Sequence, residues 1–243
     1  YQRAGEPNLV IPRIFSIIYW LISGIFLWLA ARRLISDDGA LLTAAVYLFL
    51  PYGVFASRSF QPEPLMMMFF AIFLWTLVRW DNAKKNNQKT WNWALLTGIF
   101  GGAAIFIKMT ILFLVFGAFA GAFLDFRALK KTFRDLQLWV AAVLTLLPTV
   151  SYLVYGIFID GFLAQQVNGR FFPDMLLQPS FYLRWGLKLE FVVGYGILAL
   201  TLLGIFLFPD EKRRILLGLL AGYLAFGLYF NYHFSTHDYY QIP

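Results

Sequence analysis

The stretch "ASRSFQPEPLMMMFF", residues 56–70, decides how the chain is read. Upstream of it lies the apolar run "ALLTAAVYLFLPYGVF" and downstream another, "PLMMMFFAIFLWTLV". Between the two sit Arg58 and Glu63, the latter held between Pro62 and Pro64. Two prolines restrict the backbone on both sides of the carboxylate and so fix the direction in which it projects. A short, stiff, charged link between long apolar runs is the pattern of a turn joining two membrane helices.

Composition agrees with that reading. Of 243 residues, 60% are hydrophobic, 20% aromatic and only 14% charged, whereas a soluble domain carries roughly 25% charged residues. Eight apolar segments are drawn, at about 14–31, 39–56, 64–79, 93–107, 110–124, 137–158, 189–208 and 214–231. Each is taken as helix, because an unpaired strand edge does not survive in hydrocarbon. The expected architecture is therefore an all-α polytopic membrane protein of about eight transmembrane helices. Pro51 and Pro148 fall inside segments and are expected to kink them. Only "KMT" at 108–110 divides the fourth segment from the fifth, which suggests a tight, partly re-entrant pair.

The cations sort by side. Arg32, Arg33, Arg79, Lys84, Lys85, Lys89, Arg127, Lys130, Lys131, Arg134, Lys212, Arg213 and Arg214 fall in alternate links, and they are 13 of the 20 Lys and Arg residues. Arg3, Arg13, Arg58, Lys108, Arg170, Arg184 and Lys188 fall in the others. The positive-inside rule puts the first group in the cytoplasm and the Arg58–Glu63 link outside. Cations scattered in this way exclude a nucleic-acid surface. The chain has no cysteine, so disulfide and thiolate chemistry are excluded. Tyr1 opens a polar stretch, "YQRAGEPN", without the basic-then-apolar order of a signal peptide. The expectation is one membrane module over residues 1–243, internal to a longer protein and cut at both ends.

The outer links carry the chemistry. Glu63 is either an interfacial carboxylate that pairs with Arg58 and turns the chain, or a group that binds substrate hydroxyls or a metal or aids a general base. Arg58 is a snorkelling anchor or a phosphate ligand. Lys108 lies between two apolar runs, where an uncompensated charge costs about 2.5–3.5 kcal/mol on insertion scales, and an anionic head group would offset that cost. His233 and His237, four residues apart and followed by Asp238, either bind a metal or line an aromatic, polar pocket with Tyr239 and Tyr240. The link at 159–188, with "NGRFFPD" and "LQPSFYLRW", reads as a loop partly embedded in the interface. "GIFGGAA" at 98–104 is read as a site of close helix packing. No phosphate-binding loop and no spaced Ser-His-Asp set is present.

In their order, "SRSFQPEPLMMMFFAIFLW", "AIFIKMTILFLV" and "THDYYQIP" resemble the polyprenyl-phosphate-dependent glycosyltransferases of the GT-C class. Within it they are most similar to the dolichyl-phosphate-mannose protein mannosyltransferase-like family, which includes the aminoarabinose transferase of lipid A and the Rgt-type galacturonosyltransferases. The resemblance implies an inverting transfer of a sugar from a polyprenyl-phosphate donor to a lipid, protein or glycan acceptor. It places the reaction at the outer face of a multi-pass protein in the plasma membrane, among membrane lipids. By position, Glu63 resembles the second acidic residue of the family, usually Asp, and acts as an auxiliary acid. Arg58 resembles the arginine before that acid, and Lys108 the lysine of a "TKG"-like element whose flanking Thr and Gly are absent here. "HDYYQIP" resembles H-x-Y-Y-x-L-P, which gives His237, Tyr239 and Tyr240 a substrate-facing role. A divalent metal is left open as a cofactor. The family's principal catalytic carboxylate lies in a loop expected before Tyr1, and Glu6 in "AGEPN" does not match it. The competing readings are a transporter or lipid flippase, which would place ionisable groups at the bilayer midplane, and a non-catalytic scaffold.

Overall fold

The computed structural model describes residues 10–59, 61–124, 129–163 and 171–241. Arg3, Glu6, Arg127 and Arg170, the first three residues of "NGRFFPD" and the final Ile-Pro of "HDYYQIP" lie outside the described residues. So do the side chains of Lys131 and Lys212. Among the described residues every regular element is helical.

Helix α1 (Val10–Leu34) is followed by α2 (Asp37–Phe49), which Ser36 caps by accepting from the Gly39 amide at 3.1 Å. The second apolar segment then breaks. Leu50 leaves helical geometry (φ −57°, ψ 128°), as the residue before a proline tends to, and Pro51 opens a short α3 (Pro51–Ala56). The expected kink is thus a full interruption. Helix α4 (Glu63–Lys85) begins where its sequence dictates. Pro62 stands at its N-cap and Pro64 in its first turn, where the missing amide costs nothing, and Glu63 complements the positive end of the dipole.

Helix α5 (Trp91–Ile107) ends at Lys108, whose backbone is extended. A single 3₁₀ turn (Met109–Ile111) then leads into α6 (Leu112–Phe123). After the short α7 (Leu129–Phe133), α8 (Leu136–Val154) carries Pro148 within one continuous helix and ends in a π turn (Tyr155–Ile159). A 3₁₀ turn (Pro173–Leu177) precedes α9 (Pro179–Val192) and α10 (Tyr195–Leu207). Last come α11 (Asp210–Tyr229), α12 (Asn231–Thr236) and a 3₁₀ turn at Asp238–Gln241.

Three helical stretches are long and apolar enough to cross a membrane, Val10–Leu34, Glu63–Lys85 and Leu136–Ile159. At 1.5 Å per residue each exceeds the ~30 Å hydrocarbon core. The eight expected spans are therefore not matched helix for helix. Helices α5 and α6 are too short individually, and the seventh segment is divided. Residues 179–192 form a separate helix bent 95° from α10 at Val193–Gly194, where Gly194 adopts φ +85°. That helix replaces the loop expected at the end of the 159–188 link.

Helix α4 is the centre of the bundle and packs against α1, α5 and α6. Lys84, near its C-terminus, pairs with Asp135, the N-cap of α8. Trp80 Nε1 donates to Gln137 Oε1 at 3.2 Å, and Gln137 Nε2 donates to Thr90 Oγ1 at 2.7 Å. These bonds put the start of α5 and of α8 beside the end of α4. Phe119 and Phe123 of α6 lie against Trp80, and Arg214 of α11 donates to the Leu124 carbonyl at the same end. Helices α4 and α6 therefore run one way, and α5, α8 and α11 the other. The segments α5 and α6 form a hairpin with Lys108 at its apex, at the Glu63 end.

Glycine permits this packing. A Cβ on Gly98 would sit 2.8 Å from Leu144 Cβ, and one on Gly102 would sit 2.5 Å from the Leu144 carbonyl oxygen. Pro148 supplies no N–H to that carbonyl, so the bare Gly102 backbone lies against an exposed acceptor. The reading of "GIFGGAA" as a packing motif thus agrees with the structure. A second set, Gly117 and Gly121 on α6 against Gly218 and Gly222 on α11, brings two backbones into direct contact. Gly218→Leu is expected to wedge these helices apart and destabilise the protein by about 1–3 kcal/mol, the usual range for overpacking. Gly204→Ala, with nothing within 4 Å, is expected to leave stability unchanged or slightly raised. Thermal unfolding of the two variants in detergent makes the comparison.

Candidate functional site

The site begins with Glu63. Although charged, it is 2% exposed, and a buried carboxylate requires a partner. That partner is Lys108, whose Nζ donates to Glu63 Oε1 at 2.5 Å. The ammonium sits at the hairpin apex with its side chain 15% exposed. It lies 5.0 Å from the ring centroid of Tyr239 and 4.8 Å from that of Tyr240. Cation–π attraction holds it there without neutralising it. Among the described residues Glu63 Oε2 has no hydrogen-bond partner, nor has the buried Thr110 Oγ1, two residues beyond Lys108.

The tyrosines come from the C-terminal segment, which is tied down by α9 and α11. Trp185 Nε1 donates to Tyr223 Oη at 3.2 Å, and Tyr223 Oη donates to Gln241 Oε1 at 2.5 Å. Gln241 Nε2 in turn donates to the Phe234 carbonyl at 2.9 Å. Lys188 of α9 pairs with Asp238 at 3.0 Å. Asn231 donates to the Phe172 carbonyl at 2.7 Å and fastens the stretch before α9 to the same corner. Burial raises the Tyr239 phenol above its ordinary pKa, and the Glu63 and Asp238 carboxylates push in the same direction. The phenol stays protonated at neutral pH and remains a donor.

The structure thus unites Glu63, Lys108, Tyr239 and Tyr240. His237 stands at their edge, with its Nδ1 2.8 Å from Thr236 Oγ1 and its ring 5.3 Å from Tyr239. The rings of His233 and His237 stack at 5.8 Å. Among the described residues no group of three or more His, Cys, Asp or Glu side chains gathers to hold a metal. Arg58 is not drawn in. It is exposed, its Nε donates to the Val54 carbonyl at 3.3 Å, and among the described residues no ion pair links it to Glu63. Glu63 pairs instead with a residue 45 positions away. Lys188 and Trp185 were not singled out from sequence. The signal was there in the helical spacing of Phe181, Trp185, Lys188 and Val192.

The fold and this corner define an all-α membrane protein with a buried ion pair under an aromatic lid at one end of its bundle. The family model for dolichyl-phosphate-mannose-protein mannosyltransferase matches residues 4–155, and the chain belongs to that family. It is a mannosyltransferase-like membrane glycosyltransferase, of a family that uses a lipid-linked sugar donor. The match takes in Arg58, Glu63 and Lys108 and stops before His237, Tyr239 and Tyr240. No curated protein and no solved structure matches the chain.

Removing one partner of a buried pair leaves the other uncompensated. Glu63→Ala is expected to cost about 3 kcal/mol, the low end for breaking such a pair, since the ammonium keeps some contact with solvent. The double variant Glu63→Ala/Lys108→Met is expected to recover most of that loss. Unfolding midpoints for the wild type, both single variants and the double variant complete the cycle.

Proposed function

We propose that the chain transfers a sugar from a polyprenyl-phosphate donor to an acceptor at the outer face of the membrane, with inversion at the anomeric carbon. The observation that carries this reading is Lys108, a cation at a break between two apolar helices, anchored to a buried carboxylate and overlaid by two tyrosines. Lys108 holds the donor phosphate with the two N–H donors not directed at Glu63. The acceptor oxygen attacks the anomeric carbon as its bond to the phosphate oxygen breaks. Negative charge then develops on the phosphate, where a fixed cation stabilises the transition state most. The Tyr239 phenol is placed to donate to the phosphate or the sugar. Glu63 orients Lys108 and the acceptor. Arg58 and His237 lie at the rim and reach the head group or the acceptor once these are bound.

Three features support the outer face. Arg79, Lys84, Lys85 and Arg214 gather at the Lys84 end of the bundle, as positive-inside sorting requires for the cytoplasm. The site lies at the opposite end. Helix α9, bent 95° from α10, exposes Tyr182, Leu183, Leu187 and Phe191 while burying Phe181 and Trp185, as suits a helix lying in the interface plane. The eight-segment, GT-C-like topology belongs to this same reading.

Lys108→Ala in the full-length protein is expected to lower transfer at least a hundredfold, roughly the loss seen when one transition-state donor is removed, while membrane insertion is kept. The check is transfer of labelled sugar from a polyprenyl-phosphate donor in membranes, beside the amount of inserted protein. Turnover close to wild type sinks the phosphate role.

A further inference from the structure

We propose that Glu63 competes with the bound phosphate for Lys108, and that this competition drives release of the spent carrier. The inference rests on the reading that Lys108 holds the phosphate, and it adds what the pair does after transfer.

The argument is one of charge. The donor is a phosphodiester with a single negative charge. Transfer forms a bond from the acceptor oxygen to the anomeric carbon and breaks the bond from that carbon to the phosphate oxygen. The electron pair leaves with the phosphate, and the acceptor's proton passes to solvent. The carrier remains as a phosphomonoester, bearing about 1.5 to 2 negative charges at pH 7. A site built from fixed cations alone therefore holds its product more tightly than its donor, which is the wrong order for turnover.

Glu63 opposes this. Its carboxylate is 2.5 Å from Lys108 Nζ, its side chain is 3% exposed, and among the described residues its second oxygen has no hydrogen-bond partner. Drawing the Lys108 charge toward a phosphate strands that carboxylate in a low dielectric, which is costly. Asp238, the carboxylate of the neighbouring motif, is engaged with Lys188. The tyrosine rings hold the ammonium without cancelling its charge. Lys108 itself stands in extended backbone between α5 and a 3₁₀ turn, and its partial exposure leaves it reachable from outside. The product's extra charge strengthens its hold on Lys108, and Glu63 supplies the counterweight.

The test is equilibrium binding of polyprenyl phosphate, and of a polyprenyl phosphodiester with one negative charge, to the full-length protein in nanodiscs. Glu63→Gln is expected to tighten the monoester roughly tenfold, the scale of one charge-assisted bond, and the diester less. Glu63→Asp, one methylene shorter, loosens the pair without removing the charge and is expected to fall between. If the Gln variant elutes unfolded, the Asp variant decides alone. Lys108→Ala is expected to weaken both ligands. If Lys108→Ala weakens binding while neither Glu63 variant tightens the monoester, the counterweight is overturned and the phosphate role of Lys108 stands. If Lys108→Ala leaves binding unchanged, both readings fall.

Discussion

A carboxylate buried at the end of an apolar bundle must meet a cation, and much of this structure follows from that requirement. Glu63 is fixed at the first turn of α4 by the prolines on either side. The cation arrives from 45 residues downstream, at the apex of the α5–α6 hairpin. If Lys108 lay a turn earlier or later, its ammonium would face hydrocarbon or a helix flank. The chain therefore breaks α5 at this residue and restarts with a 3₁₀ turn. The two helices are short because the turn between them must lie at the depth of Glu63.

Close packing makes so short a hairpin stable. Both helices are short, 17 and 12 residues. Helix α5 lays Gly98 and Gly102 on the α8 backbone, and α6 lays Gly117 and Gly121 on α11. In a bilayer, where lipid tails are as apolar as leucine, contact of this kind is the main force between helices. The same arrangement places Phe226 of α11 and Phe230, just beyond its end, near Tyr240, which supports the rings over Lys108. The glycine contacts and the ion pair are thus two levels of one construction.

What was legible in the sequence follows from how local each cause is. The long helices α1, α4 and α8 were readable because each is a single uninterrupted apolar run. Segment edges at Pro62 and Asp135 were also local, set by a proline pair and a capping carboxylate. Lys108 stood out because a lone cation between apolar runs needs a reason. Its pairing with Glu63 is not legible there, and the reading that pairs Glu63 with Arg58 is not met among the described residues. Arg58 is five residues from Glu63 in the chain, yet its guanidinium turns back to its own helix, and a contact made across the bundle leaves no trace in neighbouring residues. Helix 179–192 was hidden for a different reason. It is amphipathic along one face and polar at intervals, so hydropathy alone merged its end with α10 and gave its start to a loop. The bend at Gly194 shows that these were two elements.

The two ends of the bundle use their polar residues differently, and the contrast locates the site. At the Lys84 end, Asp135 caps α8 and pairs with Lys84, while Gln137 bridges Trp80 and Thr90. These bonds close a helix terminus or fasten one helix to the next. At the Glu63 end, an ion pair sits beneath two rings with one carboxylate oxygen unpaired among the described residues, and helices are broken at Lys108, at Leu50 and at Gly194. Broken backbone at membrane depth survives only where it is buried in protein or lines a polar cavity. At the first end the charges serve as joints; at the other Lys188–Asp238 is a joint too, but the Glu63–Lys108 pair is left with a bare carboxylate oxygen. On the proposed function, a charged lipid head group supplies what the second end lacks.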